Sequence, residues 1–524
     1  MMQPSISEHR TAAPAANPYR VGLAPRTAVG TADRPAGRPV PATLAVSVAL
    51  ALALTIVLPG TFAAAEQAAS QPNRLHVSVA TFLGDWEGNE AGGVAISPGG
   101  HVVFAGRVPA AHHPDGLRPV NLLGGGDGAI VRFDASGVRP LAITRLPDPV
   151  RDVTIADDGR IIVAAGAGGV IVLDADASRV LWRDEQVSAI RVAVSEGGRI
   201  VALTADKQVR IYQRGGDLID TRRFGDGFVT DVAIDDRSGQ VFVTGFNNRH
   251  LRPRPPRGRW PVQVAFIRAF AIDNLRGSAT WVNYDWPGNL LGGPQPGDEH
   301  PSRYHHLEAD TRGYRLAMGR DGMLYFAGES AGGNSIFNRD PRELGRSLAR
   351  NEENFTIDRH TIPYGTQANH ITAFARYHPD TGKLDRLQWA IPRLINDRGN
   401  TMRPRGIAAD EEGRVYLTGH AAHHIANRGD IWINDTLVHP EHGNGAFLMI
   451  TSPDWRSRET WVVFGEGGTG VGIDVRGDHY ALTAEATGQL VTSADAPYDG
   501  ETRPNAYLVV GQRSAASAAD QEEQ

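Results

Sequence analysis

The chain of 524 residues contains no cysteine. Disulfides, thiolate zinc sites, iron–sulfur clusters and cysteine nucleophiles are therefore excluded, and a chain entering an oxidising compartment would have no thiols to mispair. A large excess of one charge is also missing. Lysine and arginine total 53 against 59 acidic residues, a net charge of -6. For this length that is too small to argue for nucleic acid, or for a polyanion-binding surface over the molecule as a whole. No Gly-x-Ser-x-Gly elbow, phosphate-binding loop or HExxH string occurs, so no standard catalytic motif assigns a reaction. There is a single long apolar run, residues 42–58.

What the chain does have is a strand-turn-strand unit repeated seven times. The copies are Gly93 to Gly106 (GVAISPGGHVVFAG), Asp152 to Gly166, Arg191 to Asp206, Asp231 to Gly245, Arg315 to Gly328, Gly406 to Gly419 (GIAADEEGRVYLTG) and Gly470 to Thr483. Each turn carries a glycine, at 100, 159, 198, 239, 322, 413 and 477. A short hairpin loop needs a positive φ, which glycine adopts without steric cost. A third apolar strand follows each hairpin, and after six of them a fourth. The last copy lacks its fourth strand, but Val77 to Gly84 (VSVATFLG) precedes the first copy and resembles Glu459 to Gly465 (ETWVVFG). The pattern predicts an all-β fold, a seven-bladed β-propeller of four-stranded blades, with the ring closed by the N-terminal strand in the last blade.

Residues 1–65 read as an export signal or N-terminal anchor. Arginines precede the apolar run, and Ala63-Ala64-Ala65 offers small residues for cleavage. Residues 66–75 read as a linker, 76–512 as the propeller and 513–524 as a disordered polar tail. The expected location is secreted or periplasmic. The alternative is a membrane-anchored protein with the propeller outside the cytoplasm, touching the membrane only through an uncleaved N-terminal segment.

Gly124 to Gly137 (GGGDGAIVRFDASG), Gly239 to Gly245 (GQVFVTG) and Gly413 to Gly419 (GRVYLTG) carry a resemblance to the secreted seven-bladed propeller repeat of the SBBP type, and more loosely to NHL-type propellers. Ala309 to Pro341, with AGGNSIFNRDP, is similar to part of a group of secreted bacterial propellers. The resemblance implies architecture and export, and transfers no catalytic residue.

Strands alternate in direction within a blade. First-to-second and third-to-fourth connections therefore emerge on one face, where all are short. The long segments, such as 246–263, 287–314, 329–369 and 420–444, fall on the other face. Insertions confined to one rim mark the binding face of a repeat protein. Most of the 18 histidines lie in or beside these segments. His420, His424, His439 and His442 are candidate ligands for a divalent metal, since neutral imidazoles suit zinc, copper or iron. They match no established metal-site spacing, and solvated loop histidines are the plainer reading. His305 and His306 form a second polar cluster on the same face. Arg254, Arg257 and Trp260 stand in a proline-stiffened loop whose guanidinium groups suit the carboxylate or sulfate of an acidic glycan. Two functions stay open. One is a binding or scaffold module for an extracellular or periplasmic protein or carbohydrate. The other is a metal-assisted hydrolase or lyase with a histidine-rich site at the channel mouth.

Overall fold

A computed structural model describes residues 73–513, apart from 85–87, 113–115, 226, 251–260, 287–308, 333–334, 345, 347, 349–369, 393–398, 424–430, 439–443, 499 and 501–503. Seven antiparallel sheets form the ring, and in each the first strand of the blade lines the central channel. Blade 1 holds Glu90–Ile96, Val102–Arg107, Gly128–Phe133 and Pro140–Leu146. Blade 2 holds Asp152–Ile155, Ile161–Ala164, Val170–Leu173 and Val180–Asp184. Blade 3 holds Ala189–Val194, Ile200–Thr204, Gln208–Tyr212 and Leu218–Arg223. Blade 4 holds Phe228–Asp235, Gln240–His250, Pro261–Ala271 and Trp281–Asn283. Blade 5 holds Thr311–Met318, Leu324–Ser330, Ile371–Tyr377 and Leu384–Ala390. Blade 6 holds Met402–Ala409, Val415–Ala421, Gly445–Thr451 and Arg458–Val463. Blade 7 combines Gly468–Arg476, His479–Ala486 and Asn505–Gln512 with the N-terminal Val77–Phe82.

The ring closure is the one expected. Val77–Phe82 pairs antiparallel with Asn505–Gln512, with Ala80 opposite Val509. This supplies the edge that blade 7 lacks and leaves no open seam. Asp474 adds a latch across the same junction by accepting the Ile96 N–H of blade 1 at 2.8 Å. The seven turn glycines all have positive φ, from 61° at Gly477 to 85° at Gly159.

Second and third strands are buried on both sides because blades pack face to face. Hence they read as runs of Val, Ile, Ala and Leu rather than alternating patterns. Phe104, at 0% exposed in blade 1, packs in one cluster with Val79, Leu508 and Val510 of blade 7. The outer strand Leu218–Arg223, solvated on one side, is charged and mostly half-buried.

Two features go beyond the sequence reading. Ile431–Ile433 and Thr436–Val438 form a hairpin inside the long insertion of blade 6, and Asn73–Leu75 adds to it as a parallel strand. Asn434, at the tip with φ 51°, accepts from the Val77 amide at 2.9 Å and donates back to the Val77 carbonyl at 3.2 Å. Part of the stretch read as a linker is thus a clasped strand. The second feature is a register shift at the same level of six inner strands, one extra residue in each. In blades 5 and 6 the extra residues are Tyr314 and Arg405. Bulges of this kind re-aim a side chain.

Candidate functional site at the long-loop mouth

The antiparallel order places every first-to-second turn on one face and the extended connections on the other. The inner strands start at the long-loop face, and the residues at their starts form the channel mouth. The channel encloses about 450 Å³.

At the level of the bulge, successive blades present Asp152, Arg191, Asp231 and Arg315, and then Gly406, Gly472 and Gly93. The two acids tie neighbouring blades together. Asp152 accepts the Val192 N–H at 3.0 Å, and Asp231 accepts the Leu316 N–H at 2.9 Å. Their charged neighbours stand at the edge of contact, Arg191 to Asp152 at 3.8 Å and Arg315 to Asp231 at 4.0 Å. Burial pushes both carboxyls above the usual aspartate range, against the pull of Arg191 and Arg315. The glycine half leaves room for Arg315, which crosses to donate to the carbonyls of Arg405 and, at 3.3 Å, Val471. Burial, reinforced by Arg191, brings the Arg315 guanidinium down to about 10.

Above this floor, between blades 5 and 6, lies a connected polar cluster. Its centre is Glu329 at the end of a second strand, 1% exposed. Glu329 is ion-paired to Arg312 and accepts from or shares a proton with His370 Nδ1 at 3.1 Å. Arg403 Nε stands 3.2 Å from Glu329 Oε2, but out of line for a hydrogen bond. Burial raises the Glu329 carboxyl, yet His370, Arg312 and Arg403 together overcome it and hold the group at about 2. The charge of Arg312 also acts on Tyr314, whose phenol is raised mainly by burial. Arg405 lies over the Tyr314 ring at 4.6 Å, a cation–π contact between the two bulged residues. Towards blade 4, Arg312 sits 5.7 Å from the Phe246 ring, and Phe228 stacks on Phe246 with centroids 4.7 Å apart. Phe228 is 45% exposed.

Of the nine residues that the sequence singled out, His420 is the one within the described residues. It lies in the second strand of blade 6 rather than in a loop, opposite Arg403 and Ala446. Burial, with smaller contributions from Arg403 and Arg405, keeps its imidazole below the ordinary range, against a hydrogen bond to Asn444. His305, His306, Arg254, Arg257, Trp260, His424, His439 and His442 lie outside the described residues. Among the described residues no group of three or more histidine or acidic side chains is arranged to hold a metal ion. No helix among them is long and apolar enough to cross a membrane. The sequence reading did not single out Tyr314, Arg403, Arg405 or Glu329. A signal was present: the second strands of blades 1, 5 and 6 each follow their terminal glycine with a polar residue, Arg107, Glu329 and His420.

Residues 393–425 match the SBBP β-propeller repeat. Their described part holds the first two strands of blade 6, with Arg403, Arg405 and His420. Among solved structures, the chain is similar to the WD40 β-propeller domain of Doa1, at 9% identity and a TM-score of 0.42, over 83% of this chain and 97% of that one. No curated protein matches the sequence.

Proposed function

We propose that this chain, a seven-bladed propeller with an SBBP repeat in its sixth blade, is an extracytoplasmic binding module that takes a carbohydrate partner at its long-loop face. The observation that carries the reading is the asymmetry between faces. The seven first-to-second turns, each with a positive-φ glycine, lie on one side. The extended connections share the other side with Tyr314, Arg312, Arg403, Arg405, Glu329 and the exposed Phe228. A rigid ring holding polar and aromatic groups at one concave end is a general design for ligand capture. The expected location, secreted or periplasmic, follows from the N-terminal segment and from the lack of cysteine.

The test is a glycan array probed with the labelled full chain, beside a variant carrying Arg254→Ala, Arg257→Ala and Trp260→Ala. Selective glycan capture that falls in the variant supports the reading. Glycan capture that the triple variant leaves unchanged removes that loop, and a chain that captures no glycan overturns the carbohydrate reading. Fractionation of cells expressing a C-terminally tagged chain checks the location, and a purely cytoplasmic product would contradict it.

A metal-assisted hydrolase or lyase is the second reading. It is favoured by one observation, the burial that keeps the His420 imidazole in the neutral form that binds metals. Elemental mass spectrometry of the purified protein decides it. A stoichiometric divalent metal, lost on His439→Ala and His442→Ala, supports the reading, and a metal-free protein that takes none up refutes it.

A further inference from the structure

We infer that the basic half of the mouth, at blades 4 to 6, binds a sugar through a carboxylate group, so that the ligand is a uronate residue of an acidic glycan. This rests on the binding reading above and names its ligand class.

Three observations converge. The first is charge. Four guanidinium groups of these blades, of Arg312, Arg315, Arg403 and Arg405, meet two carboxyls, of Asp231 and Glu329. Glu329 is shared between Arg312 and Arg403. Arg405 has no carboxylate partner among the described residues, and it is pre-oriented by its bulge and by the Tyr314 ring. A held, uncompensated guanidinium is a ready partner for a ligand carboxylate, with which it makes two parallel hydrogen bonds. On the far side of the ring the arginines are matched by acids. There Glu90 is bound by Arg107 and Arg151, and burial together with Glu90 raises the Glu485 carboxyl. The anion site is therefore confined to one half of the mouth.

The second observation is an unmet acceptor. Glu329 Oε2 is buried and receives no aligned hydrogen bond, although Arg403 Nε is near. Buried polar groups are nearly always satisfied, and a lone acceptor oxygen calls for a donor. A hydroxyl supplies one. Sulfate, which carries no hydroxyl, does not. The third is the Phe228 ring, exposed on the same rim and fixed by its stack on Phe246. The apolar face of a pyranose covers such a ring. One residue that carries a carboxylate, hydroxyl donors and an apolar face meets all three needs. The central channel of about 450 Å³, which Arg315 and Arg405 line, opens beside these groups.

The experiment is a calorimetric titration of the full chain with a galacturonate trisaccharide and a glucuronate-containing disaccharide. The matched neutral galactose trisaccharide, an acidic tripeptide and inorganic sulfate are titrated in parallel. We expect one of the uronates to bind at least about tenfold more tightly than the neutral sugar. Arg405→Ala weakens it by about tenfold or more, and Arg405→Lys by less, because lysine keeps the charge but loses the two-point geometry. Phe228→Ala weakens the neutral and acidic sugars together. Thermal melts establish that each variant is folded. Equal binding of the neutral sugar, or a folded Arg405→Ala protein with unchanged affinity, overturns the inference. Tighter binding of the tripeptide or of sulfate reassigns the site and overturns it as well. If neither uronate binds while the glycan array still shows capture, the inference fails and the binding reading stands.

Discussion

At the short-turn face the arginines are matched. Arg320 donates to the Val475 carbonyl at 2.6 Å and approaches Asp474, Arg476 reaches Asp157 at 3.2 Å, and Arg199 pairs with Asp236 at 2.7 Å. These contacts run between blades, so their charge is used within the fold. At the long-loop mouth two arginines and a histidine surround one buried carboxylate, Arg405 rests on an aromatic ring, and Glu329 Oε2 lacks an aligned donor. The same residue type thus serves two ends. On one face it fastens the ring, and on the other its charge is left partly unused and available to a ligand.

This contrast can be broken from either side. The largest effect is expected for Glu329→Ala, which leaves Arg312 and Arg403 facing each other at a buried position. The expected loss is about 3–5 kcal/mol, read by chemical denaturation. Glu329→Gln keeps the volume and is expected to cost less. Acid probes the same group. Its carboxyl is depressed from 4.5 to about 2, so the ion-paired form stabilises the fold fully above about pH 4.5 and the contribution fades as pH falls towards 2. A shift of this size corresponds to about 3 kcal/mol. Asp152 and Asp231, raised by burial, act in the opposite sense and gain from protonation. Melting temperatures of the native chain are therefore expected to fall across that window more steeply than those of Glu329→Gln.

A smaller loss follows at the fastening face. Asp474→Ala leaves the Ile96 amide without its acceptor across the closing junction. The expected cost is about 1–3 kcal/mol, with ligand affinity unchanged. The smallest stability effect is expected for Arg405→Ala, within about 0.5 kcal/mol, because this half-exposed side chain has no carboxylate partner among the described residues. Its effect belongs to binding.

The blades were legible in the sequence because the repeat is local. Turn glycines at fixed offsets and runs of Val and Ile specify hairpins within about a dozen residues. Val77 to Gly84 was legible too, since its similarity to a known fourth strand and the shortage in blade 7 pointed to the same pairing. The site was much less so. Tyr314 and Arg405 are the bulged residues, one place out of step with the repeat, so aligning the copies passes over them. Glu329 gathers Arg312, His370 and Arg403 from three other strands or strand ends, over a span of 92 residues from Arg312 to Arg403 inclusive. The clasp of Asn73–Leu75 on Ile431–Ile433 joins segments too far apart for any local pattern to show. It is fastened by Asn434, whose side-chain amide is engaged on both sides by Val77.

The most direct test of the central claim, that arginine charge is spent at one face and available at the other, is to measure uronate affinity and unfolding free energy together for Arg405→Ala and Asp474→Ala. The account predicts a crossed result. Arg405→Ala loses about tenfold or more in affinity at native stability, and Asp474→Ala loses stability at native affinity. Two variants that move both quantities in parallel, or an Arg405→Ala protein that is destabilised while binding normally, would contradict it.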